Sequence, residues 1–286
     1  MHPYPFGWRR AATIDEALGF LSSEEEPKLI AGGQSLLPVM KLRLAQPGTL
    51  IDISGIPGLR GTHVDADALV IGALTTHHDL ETDPLIAEHA PLLAEIARTV
   101  GDQQVRNRGT IGGVLAHADP AADYPAGVLA LDATIVVHGP DGEREIAIGE
   151  FFQGFMTTAL AENELVTAIR IPFSGEKTGV NYQKLPNPAS GYAIVGVAAI
   201  VTTGEDGSIA SLRLGMTGVG ESAYRASAVE EALIGKHPTD TAIRDAAQHA
   251  VDGIEPLDDL HAPAAYRTKV ACNLAYRAIK DALTNA

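Results

Sequence analysis

A single cysteine, Cys272, is all the thiol that 286 residues carry. One thiol closes no internal disulfide and cannot hold an iron–sulfur cluster, which ordinarily takes four thiolates. The chain therefore reads as one kept in a reducing cytoplasm. Positive charge is also scarce: 21 Lys and Arg stand against 36 Asp and Glu, for a net charge of −15 and a pI near 5.0. Gripping a nucleic-acid backbone needs clustered cations, so this balance argues against that class. No run approaches the roughly 18 apolar residues of a membrane span. The longest candidate, Tyr192 to Val201, has the Ile, Val and Gly content of a strand, and the opening MHPYPFGWRRAAT lacks the apolar run of a secretion signal. No G-x-S-x-G nucleophile elbow is present, which disfavours a hydrolase.

What is present is ordinary globular material, 45% apolar and 20% charged, long enough for two or three compact domains. Thr13-Ile14-Asp15-Glu16 reads as a capping box opening a short helix with Ile14, Leu18 and Leu21 on one face. Lys28 to Ala31 reads as a strand running into Gly32-Gly33, with Ser35 as cap of a helix to about Leu42 and Leu50 to Ile53 as a further strand. From Gly58 the pattern predicts a strand at Ala68 to Ile71 and two helices across Thr75 to Val100, separated around Glu88 to Pro91. Gly101 to Asn107 reads as a polar bend. Asp119-Pro120 reads as N-cap and N1 proline of a helix towards Leu131. Gly139-Pro140-Asp141-Gly142 signals a hairpin between Thr134 to Val137 and Glu145 to Ile148, and Leu165 to Ile171 is one more strand. The polar segment Ser174 to Gly179 marks a boundary. Beyond it Val180 to Lys184, Tyr192 to Thr202 and Ile209 to Met216 form an antiparallel meander, followed by helices. The last helix repeats apolar pairs every four residues from Val270/Ala271 to Ala282/Leu283, a buried stripe. Three divisions follow: 1–57, 58–176 and 177–286.

Two glycine pairs carry the chemistry. Ala31-Gly32-Gly33-Gln34-Ser35 turns a strand end into a helix, and Thr110-Ile111-Gly112-Gly113 lies in a second glycine-bearing segment. Glycine allows positive φ and removes the Cβ, so backbone N–H groups can close on an anion, and a helix N-terminus adds donors. One such loop holds a phosphate; two together suit a diphosphate. Either alone is more often plain turn punctuation. Neither fits G-x-G-x-x-G or the P-loop, so a standard Rossmann or P-loop site is ruled out.

The stretches AGGQSLLPVMKLRLAQP (31–47) and QVRNRGTIGGVLAHADPAADYPA (104–126) strongly resemble the two flavin-binding signatures of the medium subunits of molybdenum hydroxylases, the carbon monoxide dehydrogenase and xanthine dehydrogenase family. The resemblance spans the whole chain. It implies an α+β fold: a two-part FAD-binding domain similar to the vanillyl-alcohol-oxidase class, with a C-terminal α+β domain of antiparallel sheet and helices. It implies FAD as cofactor, with Ala31, Gly32, Gly33, Gln34 and Ser35 and then Thr110, Ile111, Gly112 and Gly113 around the diphosphate. His117 would support the pocket, Asp123 would lie near the ribityl or ring end, and Lys184 and Tyr192 near the isoalloxazine. It further implies an oxidoreductase subunit relaying electrons to an external acceptor. Its partners would be a small iron–sulfur subunit and a large molybdenum-cofactor subunit, in a dimerised heterotrimer. Gln34 stands where the family usually has His, and Val114 where it often has Asn or Ser. Two alternatives remain open: a stand-alone FAD oxidoreductase, and a non-catalytic assembly subunit without FAD.

The other candidates have plainer readings. His77 and His78 are adjacent, so on a helix they point apart and do not share a metal ion; a polar surface or capping role is expected for them. Asp123 alone could be a first-turn acid at a helix N-terminus, and Lys184 and Tyr192 ordinary strand side chains. Cys272 lies on the apolar stripe as inert packing. Met156, Met216 and the few aromatics read as core.

Overall fold

The computed structural model describes residues 2–286. Five elements open the chain: β1 (Gly7–Arg10), α1 (Ile14–Ser23), β2 (Pro27–Ile30), α2 (Leu36–Lys41) and β3 (Thr49–Asp52). They form a parallel sheet in the order β1-β3-β2, and parallel neighbours need crossovers, which the two helices supply. α1 is capped by Thr13 as the sequence predicts, but the box is not reciprocal. The Thr13 hydroxyl accepts from the Glu16 N–H, and the Glu16 carboxylate reaches back to the N–H of Ala12. Ser35 precedes α2 but makes no side-chain cap.

Next come β4 (Thr62–Asp65), β5 (Ala68–Gly72), α3 (His77–Thr82), α4 (Pro84–His89), α5 (Pro91–Thr99), α6 (Gln103–Arg106), α7 (Ile111–His117) and α8 (Tyr124–Ala130). They are followed by β6 (Thr134–Gly139), β7 (Gly142–Ala147), α9 (Ile148–Phe151), β8 (Phe152–Gly154), β9 (Thr157–Thr158) and β10 (Leu165–Pro172). The antiparallel order β4-β5-β10-β6-β7 puts the last strand at the centre. Leu69, Ile71, Ile135 and Ile169 pack from this sheet against Leu92, Leu93, Ile96, Ile111 and Leu115 of the helices.

The remainder is β11 (Thr178–Pro186), β12 (Ala193–Thr203), β13 (Ile209–Thr217) and β14 (Tyr224–Arg225), a meander, with α10 (Ser227–Leu233), α11 (Asp240–Ala247) and α12 (Ala264–Thr284). Alternation along β12 divides its side chains. Val195, Val197 and Val201 join Ala271, Ala275, Ala278 and Ile279 of α12, while Ala198 and Ile200, with Tyr182, face the middle region's core. The meander is thus buried on both sides, which fixes it to α5 and α8 of the middle region. Gly215 sits so close to the Ala126 carbonyl of α8 that a Cβ there would overlap it.

Several expectations need correction. Thr75 to Val100 holds three helices, because Asp83-Pro84 makes a break of its own, with the Asp83 carboxylate accepting from the N–H of Leu85. The bend after Gly101 contains the one-turn α6. Asp119-Pro120 does not start a helix: the Asp119 carboxylate closes a local turn on the Ala121 N–H, and α8 begins only at Tyr124. β1 and β4 had no clear sequence signal. Met216 is core, but Met156 is 40% exposed, and Tyr4, Phe6 and Trp8 are exposed aromatics rather than core. His77 is buried, not on the surface.

Candidate flavin site

The first glycine loop leaves β2 and enters α2. Gly33 has φ +72°, the left-handed region that favours glycine. Gly32 lies flush on the backbone of Arg108 and Gly109, where any Cβ would strike the Arg108 carbonyl. A Cβ on Gly113 would sit 3.9 Å from that of Ala31. The two segments therefore touch, although about eighty residues of chain separate them. Among the described residues, the N–H groups of Gly32, Gly33, Gln34 and Ser35 meet no acceptor in the chain. A run of successive unpaired N–H groups at a glycine turn is the kind of backbone that takes up an anion. The Gln34 amide folds back on the Gly32 carbonyl at 3.3 Å and braces the loop from within.

The second segment is arranged differently. Thr110 bridges to Thr76, and its hydroxyl caps α7 by accepting from the Gly113 N–H at 3.2 Å. The N–H of Ile111 donates to the Thr75 carbonyl at 3.1 Å and that of Gly112 to the Ala73 carbonyl at 2.9 Å. Gly112 packs against Ala73, which leaves no space for a side chain. Val114 packs against the middle core, so a hydrogen-bonding residue is not missed there. Below Gly109 lies His77, stacked on Tyr124 with ring centres 5.0 Å apart. Burial, with the Arg106 charge nearby, drives the His77 imidazole down to about 4. His117 ends α7, half-buried, and burial lowers its pKa as well.

At the start of α8, Asp123 is 5% exposed. Its two oxygens are both engaged: the Tyr182 hydroxyl donates at 2.6 Å and Lys184 Nζ at 2.8 Å. Tyr182 and Lys184 alternate along β11, so both reach α8 from one face of the strand. Burial pushes the Asp123 carboxyl up, and Lys184 and Tyr182 pull against it. Burial beside that carboxyl raises the Tyr182 phenol far above its ordinary value. A lysine ammonium has three donors; one goes to Asp123 and one to the Thr99 carbonyl at 3.1 Å, and among the described residues the third meets no acceptor. The side chains of Lys184 and Asp123 are each only 6% exposed. In such surroundings either group without the other is costly.

Tyr192 stands at the rim, 38% exposed, its phenol beside Ser35 and its pKa raised by burial. Below it opens a cavity of about 310 Å³, bounded by Asp119, Asn187, Ser190, His261 and Arg267 among others. Buried Arg267 braces this wall, donating to the carbonyls of Ile194 and Gly218 and to both oxygens of Asp259.

The structure brings the 31–35 loop against Gly109 and Gly113, Tyr192 beside Ser35 and Asp123, and Lys184 onto Asp123, whereas Ile111 and Gly112 are buried with their N–H groups already paired. Sequence reasoning missed Tyr182, Thr99, His77 and Arg267. Of these only Tyr182 had a signal, its two-residue spacing from Lys184. A dinucleotide with a diphosphate fits the unpaired donors at 32–35, the donor left on Lys184, and the close approach that Gly32 permits.

The architecture and this junction define a two-part FAD-binding unit with a C-terminal flavoprotein domain. Residues 4–174 match the family described as "FAD binding domain in molybdopterin dehydrogenase", and residues 180–282 match "CO dehydrogenase flavoprotein C-terminal domain". The chain is 40% identical to the carbon monoxide dehydrogenase medium chain of Hydrogenophaga pseudoflava, over 99% of this chain and 98% of the relative. It is 38% identical to the glyceraldehyde dehydrogenase medium chain of Sulfolobus acidocaldarius, over 98% and 99%. A solved carbon monoxide dehydrogenase structure from H. pseudoflava superposes with a TM-score of 0.97 at 41% identity, covering 100% of both chains. Quinoline 2-oxidoreductase from Pseudomonas putida 86 gives 0.94 at 31%, covering 99% of both. The protein belongs to the family of FAD-binding medium subunits of molybdopterin-dependent dehydrogenases, and its cofactor is FAD.

Proposed function

We propose that the chain is the flavin-bearing relay of a molybdenum hydroxylase complex, taking electrons from an iron–sulfur partner and passing them to an external acceptor. The observation that carries this reading is the row of unpaired N–H donors at Gly32 to Ser35, pressed against the second glycine segment. Bound FAD supplies a ring system that accepts electrons from one-electron donors and releases them in pairs. The chain's own residues do the holding. The 32–35 amides and the Thr110 region take the diphosphate, with Ile111 to Gly113 shaping the wall. Asp123 fixes Lys184 so that its remaining N–H points to the ribityl or ring end. Tyr192 covers the ring and limits the entry of water.

One thiol cannot supply cluster ligands, so electrons arrive from other polypeptides. Relatives of nearly equal similarity are named for carbon monoxide and glyceraldehyde, and others for nicotine and caffeine. A chain shared so evenly across such different substrates does not choose among them. Substrate choice then lies in a large molybdenum-cofactor subunit, joined to this chain by a small iron–sulfur subunit in a dimerised heterotrimer. Purifying the complex through a tag on this chain tests the reading. The expected preparation carries iron and molybdenum and loses substrate-dependent flavin bleaching when the iron–sulfur subunit is deleted. Bleaching by substrate with this chain alone would favour a stand-alone oxidoreductase instead.

A further inference from the structure

Buried His77, the first residue of α3, holds Gly109 twice. Its backbone N–H donates to the Gly109 carbonyl at 3.0 Å, next to the bridge between Thr76 and Thr110. Its ring fills the space where Gly109 lacks a side chain: a Cβ there would lie 2.6 Å from Nε2. Gly109 in turn carries Gly32. With Arg108 it forms the ledge on which Gly32 lies, and a Cβ on Gly32 would come within 2.9 Å of the Gly109 Cα. The order is ring, ledge, flavin loop. Gly33, the next residue of the loop, looks to Leu37 and Ile30 of its own region, so the loop bears on the middle region chiefly through Gly32.

The ring also stacks on Tyr124, with centres 5.0 Å apart. Tyr124 is fully buried at the start of α8 and directly follows Asp123, the residue that holds Lys184. One imidazole therefore touches both the ledge beneath the diphosphate loop and the helix start that carries the Asp123–Lys184 pair. What it contributes there is shape. Its Nδ1 is buried and meets no hydrogen-bond partner among the described residues, and burial, with the Arg106 charge nearby, keeps the ring uncharged. An unpaired polar atom adds nothing favourable of its own, whereas a closely packed ring passes any change of volume to its neighbours. Within its own segment Gly109 is tied to the preceding turn, its N–H donating to the Val105 carbonyl at 2.8 Å; His77 adds the support from outside it. Without the ring the ledge would face a hole, into which packed structure relaxes in part.

We infer that His77 is a positioning residue for the cofactor, its ring acting as the spacer that fixes the diphosphate loop at Gly32 relative to the Asp123–Lys184 pair. The inference rests on the reading that these two groups hold FAD, and deepens it. A ligand gripped at two separate places binds best when the grips are already spaced for it, and side chains locked by packing behind them keep that spacing. His77 makes no contact with Gly32 itself; it acts through Gly109.

The test strips the full-length chain of flavin and titrates it with FAD by fluorescence, as wild type, His77→Ala, His77→Met and Gly32→Ala. Each titration is run at a temperature where circular dichroism shows the variant fully folded, so that lost stability alone leaves the affinity unmoved. His77→Ala is expected to bind FAD roughly tenfold more weakly. His77→Met puts an adaptable side chain of similar bulk, without the ring's polarity, in the same place, and is expected to recover the affinity to within about threefold of wild type. Should His77→Ala fail to fold, Gly109→Ala carries the test. Its methyl meets the ring from the other side and displaces the ledge, with a similar loss of affinity expected, and full affinity in that variant overturns the spacer. A folded His77→Ala chain that binds FAD within about twofold of wild type overturns it too, as does a His77→Met chain no better than His77→Ala. Gly32→Ala binding FAD like wild type is a separate failure: it overturns the placement of FAD on the loop itself.

Discussion

The two glycine segments at the junction use one residue type for opposite purposes. In the first, four successive N–H groups from Gly32 to Ser35 meet no acceptor among the described residues. In the second, Ile111 and Gly112 donate to the carbonyls of Thr75 and Ala73, and Gly112 is small because Ala73 needs its space. One glycine pair frees backbone donors; the other lets a helix lie against the turn that follows β5. Farther along the chain, Asp123 at the start of α8 is held from the C-terminal domain by Lys184 and Tyr182.

The sharpest way to break this contrast is to remove that hold. Lys184→Met leaves a buried carboxylate unpaired and is expected to cost about 3–5 kcal/mol in urea unfolding, most of it restored by adding Asp123→Asn. The pH dependence has a definite sign. The folded Asp123 pKa, already raised, rises further in Lys184→Met. The deficit is therefore absent below the unfolded value of roughly 3.9 and grows as pH climbs through the folded one.

His77, beneath the second segment, gives the next largest effect. Its folded pKa of about 4 lies below the ordinary 6.5, so its stabilisation is complete above 6.5 and is lost as pH falls towards 4. At roughly 1.4 kcal/mol per unit, the loss approaches about 3 kcal/mol. His77→Gln should flatten this part of the pH–stability curve, and an unchanged slope would assign it to another group.

Gly112→Ala is expected to cost roughly 1–3 kcal/mol of stability through overpacking against Ala73. If this variant kept full stability and lost only FAD, the division between the two segments would be wrong. The smallest effect is at the open loop. Ser35→Ala should leave stability unchanged and weaken FAD by about 0.5–1.5 kcal/mol, a few-fold in a fluorescence titration.

The same contrast explains what the sequence made legible. Both glycine pairs could be seen, because glycine at a turn into a helix is a local signal, and so could the Thr13 cap of α1 and the antiparallel meander. Whether a backbone N–H in such a segment is free is decided by residues distant in sequence, Ala73 and Thr75 in this case, and no local pattern reports it. Asp119-Pro120 misled for a related reason. An Asp-Pro pair caps a helix at Asp83 and a mere turn at Asp119, and the carbonyl of Pro120 instead accepts from the Gly218 N–H and the Thr217 hydroxyl. Burial of His77 and exposure of Trp8 likewise depend on which surfaces meet. Period and propensity do not encode that.

The most direct measurement is a backbone amide map of the isotope-labelled, flavin-free protein as FAD is added. The account predicts that the signals of Gly32, Gly33, Gln34 and Ser35 exchange freely at first and then shift and become protected, while Ile111 and Gly112 are protected from the outset. Amides at 32–35 that ignore FAD, with Ile111 and Gly112 becoming protected only on its addition, would contradict it.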